Sequence, residues 1–200
     1  MQKFLHVGCG HNKKDRTTRV FSGNDWQEVR FDIDESVGPD LIGTILDMET
    51  VDTASVDAVY SSHNIEHVYP HEVPLALNEF YRVLKPSGYL VVTCPNLQAV
   101  CEFVSQDKLT EPIYNSPAGP ISPIDILYGL RPALARGNHY MAHKCGFTEK
   151  VLVGTMRNSG FRSVASRKRG IPFVDLWAIG TKQEVPDEAI HALAMGHFPT

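Results

Sequence analysis

Short apolar runs alternate with helix-patterned stretches along most of the chain, and the last two runs are separated by only a few residues. No other feature limits the fold as much. The strand-like runs fall at residues 4–7, 29–33, 40–43, 56–61 and 89–94. Strands separated by long intervening segments can run parallel, because a parallel pair needs a crossover of a dozen or more residues. Alternation of this kind therefore predicts a mostly parallel sheet covered by helices. Tyr89-Leu90-Val91-Val92-Thr93-Cys94 is almost wholly apolar, as expected of a central strand buried on both faces. The clearest helix spans residues 72–84, with Val73, Leu75, Ala76, Leu77, Phe80, Val83 and Leu84 on its apolar side. Pro74 fits its first turn, and Lys85-Pro86-Ser87-Gly88 ends it. The final runs, 164–169 and 174–181, are joined by a turn containing Gly170-Ile171-Pro172, too short for a crossover, and are predicted to pair antiparallel.

The other segments are less regular. Residues 11–25 are polar and weakly helical, and 97–104 reads as a helix. Residues 109–123 hold four prolines and a glycine and read as a loop. A helix over 124–135 is interrupted at Gly129 and Pro132, and another covers 149–158, ended by Ser159-Gly160. One domain over residues 1–182 is expected, with 183–200 a weak terminal helix or tail.

Composition narrows the function classes. The net charge is −4, and the basic runs Lys13-Lys14-Asp15-Arg16 and Arg167-Lys168-Arg169 are short, so no nucleic-acid or membrane partner is expected. No apolar run approaches the roughly 18 residues of a membrane span. Cys9, Cys94, Cys101 and Cys145 form no Cys-x-x-Cys pair and follow no secretory signal, which predicts reduced thiols in a cytoplasmic protein.

Ligands of open α/β sheets sit at the carboxyl ends of the strands. Gly8-Cys9-Gly10 closes the first strand, where glycine lets backbone approach a ligand. Asp32, at the end of the second strand, lies about 20 residues on, the spacing at which an acid grips ribose hydroxyls; Asp34 is an alternative. Dinucleotide sites add a third glycine, but Lys13 stands at that position and the following segment is a poor helix for a pyrophosphate. These residues fit a nucleoside ligand without one. Cys9 reads as a small packing residue rather than a nucleophile. Trp26 and Trp177 read as packing residues, although Trp26 is also placed to cover a ligand.

Several ordered motifs together resemble class I S-adenosylmethionine-dependent methyltransferases of the type 11 group. They are Leu5-His6-Val7-Gly8-Cys9-Gly10, then Phe31-Asp32-Ile33-Asp34, then Asp57 to Val68 with its Ile65-Glu66-His67 segment, and then Glu79 to Leu90, which is the most specific. Gly146-Phe147-Thr148 and Ser159-Gly160-Phe161 resemble the late helix and its end. The resemblance implies a Rossmann-like sandwich with a seven-stranded sheet in the order 3-2-1-4-5-7-6, and S-adenosylmethionine as cofactor. It further implies that the Gly8-Cys9-Gly10 loop passes beneath the donor's methionine part, with Asp32 on the ribose, Asp47 and Met48 flanking adenine, and Ser62 and His63 near the sulfonium. The chain departs from the family pattern at His6, Asn12 and Thr44. It also begins almost at the first strand, so the usual N-terminal lid helices are not expected, and something else, or a second subunit of a homo-oligomer, is expected to close the site.

The segment at about 97–147 lies where this class places substrate-facing insertions. It carries His139-Tyr140-Met141-Ala142-His143. With His63, His139 and His143 are the candidates to orient a small-molecule acceptor or take its proton, since histidine titrates near neutral pH. His63-Asn64-Ile65-Glu66-His67 also matches an inverted zinc-peptidase pattern, with the two histidines holding metal and Glu66 as base. That pattern needs a helix, for which Pro70 leaves little room, so no metal is expected and zinc hydrolysis is the alternative. A non-catalytic donor-binding partner subunit is another.

Overall fold

The computed structural model describes residues 1–199. In chain order the elements are β1 (Gln2–Val7), β2 (Trp26–Asp32), β3 (Leu41–Ile42), β4 (Val56–Ser62), α1 (Val73–Val83), β5 (Leu84–Pro95), α2 (Leu97–Val104), β6 (Tyr114–Ser116), β7 (Gly119–Ile121), α3 (Pro123–Tyr128), α4 (Arg131–Ala135), α5 (Glu149–Asn158), β8 (Ser163–Lys168), β9 (Asp175–Thr181) and α6 (Asp187–His197). The main sheet runs β3-β2-β1-β4-β5-β9-β8. Its first five strands are parallel, and β9 pairs antiparallel with both β5 and β8. This is the order implied by the resemblance.

The period of two along the strands divides the core into two layers. Leu5, Val7, Val59, Leu90 and Val92 point to one side, where Ala76, Leu77 and Phe80 of α1 and Leu152 and Met156 of α5 cover them. Phe4, Ala58, Tyr60, Tyr89, Val91 and Ile179 point to the other, where they meet Phe21, Trp26, Trp177 and the Ile190–Ala194 face of α6. The terminal segment is thus a docked helix. His197 locks it down: its Nδ1 lies 2.8 Å from Thr18 Oγ1 and its Nε2 3.0 Å from Tyr89 Oη, all three residues being buried. Asp187 and Glu188 in the first turn of α6 suit the positive end of the helix dipole.

Four local expectations change. Lys85-Pro86-Ser87-Gly88 lies within β5: Val56 pairs with Leu84 and Ala58 with Tyr89, so the four residues bulge opposite the single residue Asp57. Asp57 anchors the bulge, accepting from Lys3 N at 2.8 Å and Lys85 Nζ at 2.9 Å. Residues 109–123 contain the β6–β7 hairpin, whose three-residue strands are too short for a periodic signal. Residues 11–25 form turns and one three-residue 3-10 segment, Lys14–Arg16. The 124–135 helix breaks at Gly129, whose φ is +101°; Pro132 lies in the first turn of the second piece.

Candidate functional site

The carboxyl ends of β1, β2 and β4 meet at one edge of the sheet. β1 ends in Gly8, whose amide donates to Phe31 O at 2.9 Å, and the chain then turns through Gly8 (φ +62°) and Gly10 (φ +50°). The two glycines serve different ends. A Cβ on Gly8 would stand 2.5 Å from Asn64 Cγ, so Gly8 admits the side chain that follows β4. A Cβ on Gly10 would meet nothing within 4 Å, so this backbone faces open space. Asp32 closes the crevice floor: Oδ2 accepts from Gly10 N at 2.7 Å and Oδ1 from Asp34 N at 2.9 Å. Each oxygen keeps a lone pair, because an ionised carboxylate offers about four acceptor sites. Left-handed glycine backbone over open space, beside a carboxylate with acceptor capacity to spare, fits the sugar and amino-acid ends of S-adenosylmethionine.

Arg30, which the sequence reading passed over, ties the rim together by donating to Gly10 O, to Asn12 O at 3.2 Å and to Gly38 O at 2.5 Å. His6, one of the departures, pairs with Glu28 at 2.7 Å. Cys9 is buried, which pushes its thiol up to about 11 and suits a packing role. Asp47 is exposed on the loop after β3. Met48 is fully buried and offers the crevice no surface; its amide donates to Glu79 at 2.7 Å and its carbonyl accepts from Arg82 at 2.8 Å.

On the other side of β4 lies a cavity of about 220 Å³, lined by residues that include His63, Glu66, His67, Tyr114, His143 and Phe173. Ser62 ends β4 with Oγ 2.9 Å from Thr93 Oγ1, and His63 N donates to Thr93 O at 2.9 Å. His63 itself is strained, with φ +48°, and half exposed at the cavity mouth. Its Nδ1 is 3.4 Å from Glu66 Oε1 and its Nε2 4.0 Å from Asp175 Oδ2. Protein packed around its inner side lowers the His63 pKa, but the Glu66 and Asp175 carboxylates outweigh this and raise it overall.

A 3-10 turn, Ile65–His67, carries Glu66. Burial works against the Glu66 carboxylate, while His63, His67 and His143 together hold its pKa below the usual value. Among the described residues neither Glu66 oxygen has a hydrogen-bond partner; the His63 contact is an ionic approach outside hydrogen-bond geometry. His143 comes from 76 residues further on, yet its ring centroid is 4.9 Å from that of His67. Burial lowers the His143 pKa. Glu66, His67 and His143 present ligand atoms within 4.8 Å of one another.

The structure thus brings His63 and His143 to one cavity, while His139 lies exposed on a 3-10 turn and does not line it. The i, i+4 helical pair of the zinc-peptidase pattern is not formed, since His63 precedes the turn that carries His67. Sequence reasoning missed Asp175, a buried acid paired with Arg169 beneath Phe173. Its one signal was an acid at the head of an otherwise apolar strand, Asp175-Leu176-Trp177-Ala178-Ile179.

Residues 5–92 match the family model described as a methyltransferase domain. No curated protein matches. Many solved structures share the fold. A Thermotoga maritima S-adenosylmethionine-dependent methyltransferase aligns with a TM-score of 0.55 at 16% identity, over 92% of this chain and 83% of its own. The Burkholderia thailandensis 1,6-didemethyltoxoflavin-N1-methyltransferase, with bound 1,6-didemethyltoxoflavin and S-adenosylhomocysteine, aligns with a TM-score of 0.58 at 15% identity, over 92% of this chain and 72% of its own. A chain from the complex between the Haloferax volcanii Trm112 methyltransferase activator and a methyltransferase gives 0.58 at 14% identity, over 92% and 83%.

Proposed function

We propose that the chain is a class I S-adenosylmethionine-dependent methyltransferase, a reading supported by the methyltransferase-domain match over residues 5–92 and by the shared fold, and that it methylates a small molecule held in the cavity beside His63. The observation that carries this reading is the double placement of His63. It follows β4 directly, two residues after Ser61, which pairs with Val7 just before the Gly8–Gly10 turn, and it also lines the cavity. A group held there would lie between the donor crevice and the acceptor cavity.

The donor supplies an already activated methyl on a sulfonium, so most of the acceleration can come from alignment of the acceptor. Asp32 would hold the ribose hydroxyls, and the Gly8-Cys9-Gly10 loop would lie beneath the methionine part. Ser62, fixed by Thr93, would border the methyl group. His63 would take the acceptor's proton, and its raised pKa makes it a stronger base than an ordinary histidine. The cavity's size and its mixed lining of Tyr114, Phe173 and histidines favour a small acceptor with an aromatic or apolar part.

The Burkholderia structure holds bound 1,6-didemethyltoxoflavin, which supports a small-molecule acceptor. The net charge of −4 gives nucleic acid no general attraction. No described helix is long and apolar enough to cross a membrane. All four cysteines are free, and we place the protein in the cytoplasm on that ground.

The test is incubation with methyl-labelled S-adenosylmethionine and fractionated small-molecule extract, followed by mass spectrometry. Label is expected on a small acceptor, and replacing His63 with Ala should slow the transfer. Donor binding with no labelled product from any pool would instead identify a non-catalytic partner subunit.

A further inference from the structure

We propose that Glu66, His67 and His143 form a binding site for one divalent first-row transition-metal ion, open to the cavity, and that this ion holds a hydroxyl oxygen of the acceptor. The substrate class rests on the methyl-transfer reading above, whereas the metal site stands on its own geometry.

Glu66 gives the first reason. The residue is 1% exposed, and among the described residues neither carboxylate oxygen has a hydrogen-bond partner. A buried carboxylate left in that state is costly, and such groups are ordinarily paired or bound to metal. The half-exposed His63 ring offers only a misaligned contact at 3.4 Å.

The two imidazoles give the second. His67 Nδ1 lies 3.0 Å from Ala142 O, and His143 Nδ1 lies 2.6 Å from Ile126 O. A carbonyl oxygen only accepts, so in each ring Nδ1 must carry the proton. In its neutral form each ring then presents its Nε2 lone pair. Histidine ligands are typically oriented by such a hydrogen bond from the other ring nitrogen.

The third reason is rigidity between distant segments. Lys144 N donates to Glu66 O at 2.8 Å and Cys145 N to the same oxygen at 3.2 Å. The backbone beside His143 is thereby fastened to the turn that carries Glu66 and His67. Ligand atoms within 4.8 Å of one another close on a common ion with side-chain shifts of about 1 Å, given bonds of about 2.1 Å.

Two imidazoles and one carboxylate suit zinc, manganese, iron or cobalt better than calcium or magnesium, which prefer oxygen. Three protein ligands leave coordination positions open, the mark of a reactive rather than structural site. Those positions face the cavity that His63 borders. Glu66 acts here as a ligand, not as the base of a peptidase. An acceptor hydroxyl bound to the ion becomes more acidic. Its proton passes to His63; the oxygen lone pair then forms the new C–O bond while the C–S bond breaks. That electron pair returns to sulfur, leaving S-adenosylhomocysteine and a methyl ether.

The test uses tag-free full-length protein stripped with chelator and titrated calorimetrically with zinc, manganese and cobalt salts. S-adenosylhomocysteine is titrated in parallel, and cobalt binding is also followed by visible absorption. One ion per chain is expected, with affinity falling about tenfold or more in His143→Ala and Glu66→Gln while S-adenosylhomocysteine affinity is retained. Nitrogen NMR of the wild-type chain guards against misfolded variants: zinc should shift the Nε2 resonances of His67 and His143. The site is refuted if no ion binds at about 0.1 mM, if binding survives His143→Ala, or if those resonances do not move. Failure of metal with S-adenosylhomocysteine still bound leaves methyl transfer standing, and the reverse result leaves the metal site.

Discussion

The docking of α6 depends on a histidine that must stay neutral. His197 is 3% exposed, between Thr18 and Tyr89 and against the Phe21 ring at 4.5 Å, and burial lowers its pKa from 6.5 to about 4. The unfolded chain takes this proton near its ordinary value, while the folded chain refuses it until about 4. Stability is therefore full above the unfolded value and falls as pH drops between the two. The total loss is about 3 kcal/mol, of which about 2 kcal/mol appears between about pH 7.5 and about pH 5. For a chain of this length, with a urea slope of about 2 kcal/mol/M, that moves the urea midpoint down by about 1 M. Other groups titrate in the same window: His143 is also depressed and His63 is raised. The assay is therefore a comparison of urea midpoints at both pH values in the wild type and in His197→Gln. The variant starts less stable, but its midpoint should lose about 1 M less between the two pH values. An identical pH dependence in both proteins would refute the buried neutral histidine.

The two loop glycines should separate stability from donor binding. Gly8→Ala combines a left-handed backbone with a 2.5 Å clash against Asn64 and should cost about 2–3 kcal/mol in urea unfolding. Gly10→Ala carries only the backbone cost of about 1 kcal/mol, but its methyl enters the open crevice and should weaken S-adenosylhomocysteine binding; equal stability losses with equal affinities would contradict the assignment. Asp175→Asn strips Arg169 of its buried partner and should cost about 3 kcal/mol. The same change removes one of the two carboxylates that raise His63, so NMR should find His63 titrating at lower pH; an unmoved curve would rule out that contact.

Much of the sheet was legible because each signal was local. An apolar β5, the clean amphipathic stripe of α1, and two strands too close for a crossover mark a mostly parallel sheet with an antiparallel end, whereas the strand order itself came from the family resemblance. What escaped depends on contacts between distant residues. Lys85–Gly88 reads as a turn, and only Asp57 across the ladder makes it a bulge. Tyr114–Ser116 and Gly119–Ile121 are too short and too rich in turn residues to show a period of two. α6 carries Gly196 and a weak apolar pattern, and it is the Phe4–Phe21–Tyr89 layer that orders it. At the candidate site, the meeting of the Gly8–Gly10 turn with Asp32 could be expected from spacing alone. Glu66 and His67 were visible as a pair, but nothing local says that His143 folds back on them, because the link is two backbone hydrogen bonds onto Glu66 O. Asp175 escaped for a similar reason, since an acid opening a strand ordinarily faces water, and here Arg169 and Trp177 enclose it.

Calorimetric titration of S-adenosylhomocysteine into the wild-type chain and into Asp32→Ala is the most direct check on the donor crevice. One molecule should bind per wild-type chain. Losing hydrogen bonds to a charged carboxylate, about 1.5–3 kcal/mol, should weaken binding by at least about tenfold. Equal affinities in the two proteins, or no heat from folded wild-type protein with either the donor or its demethylated product, would contradict it.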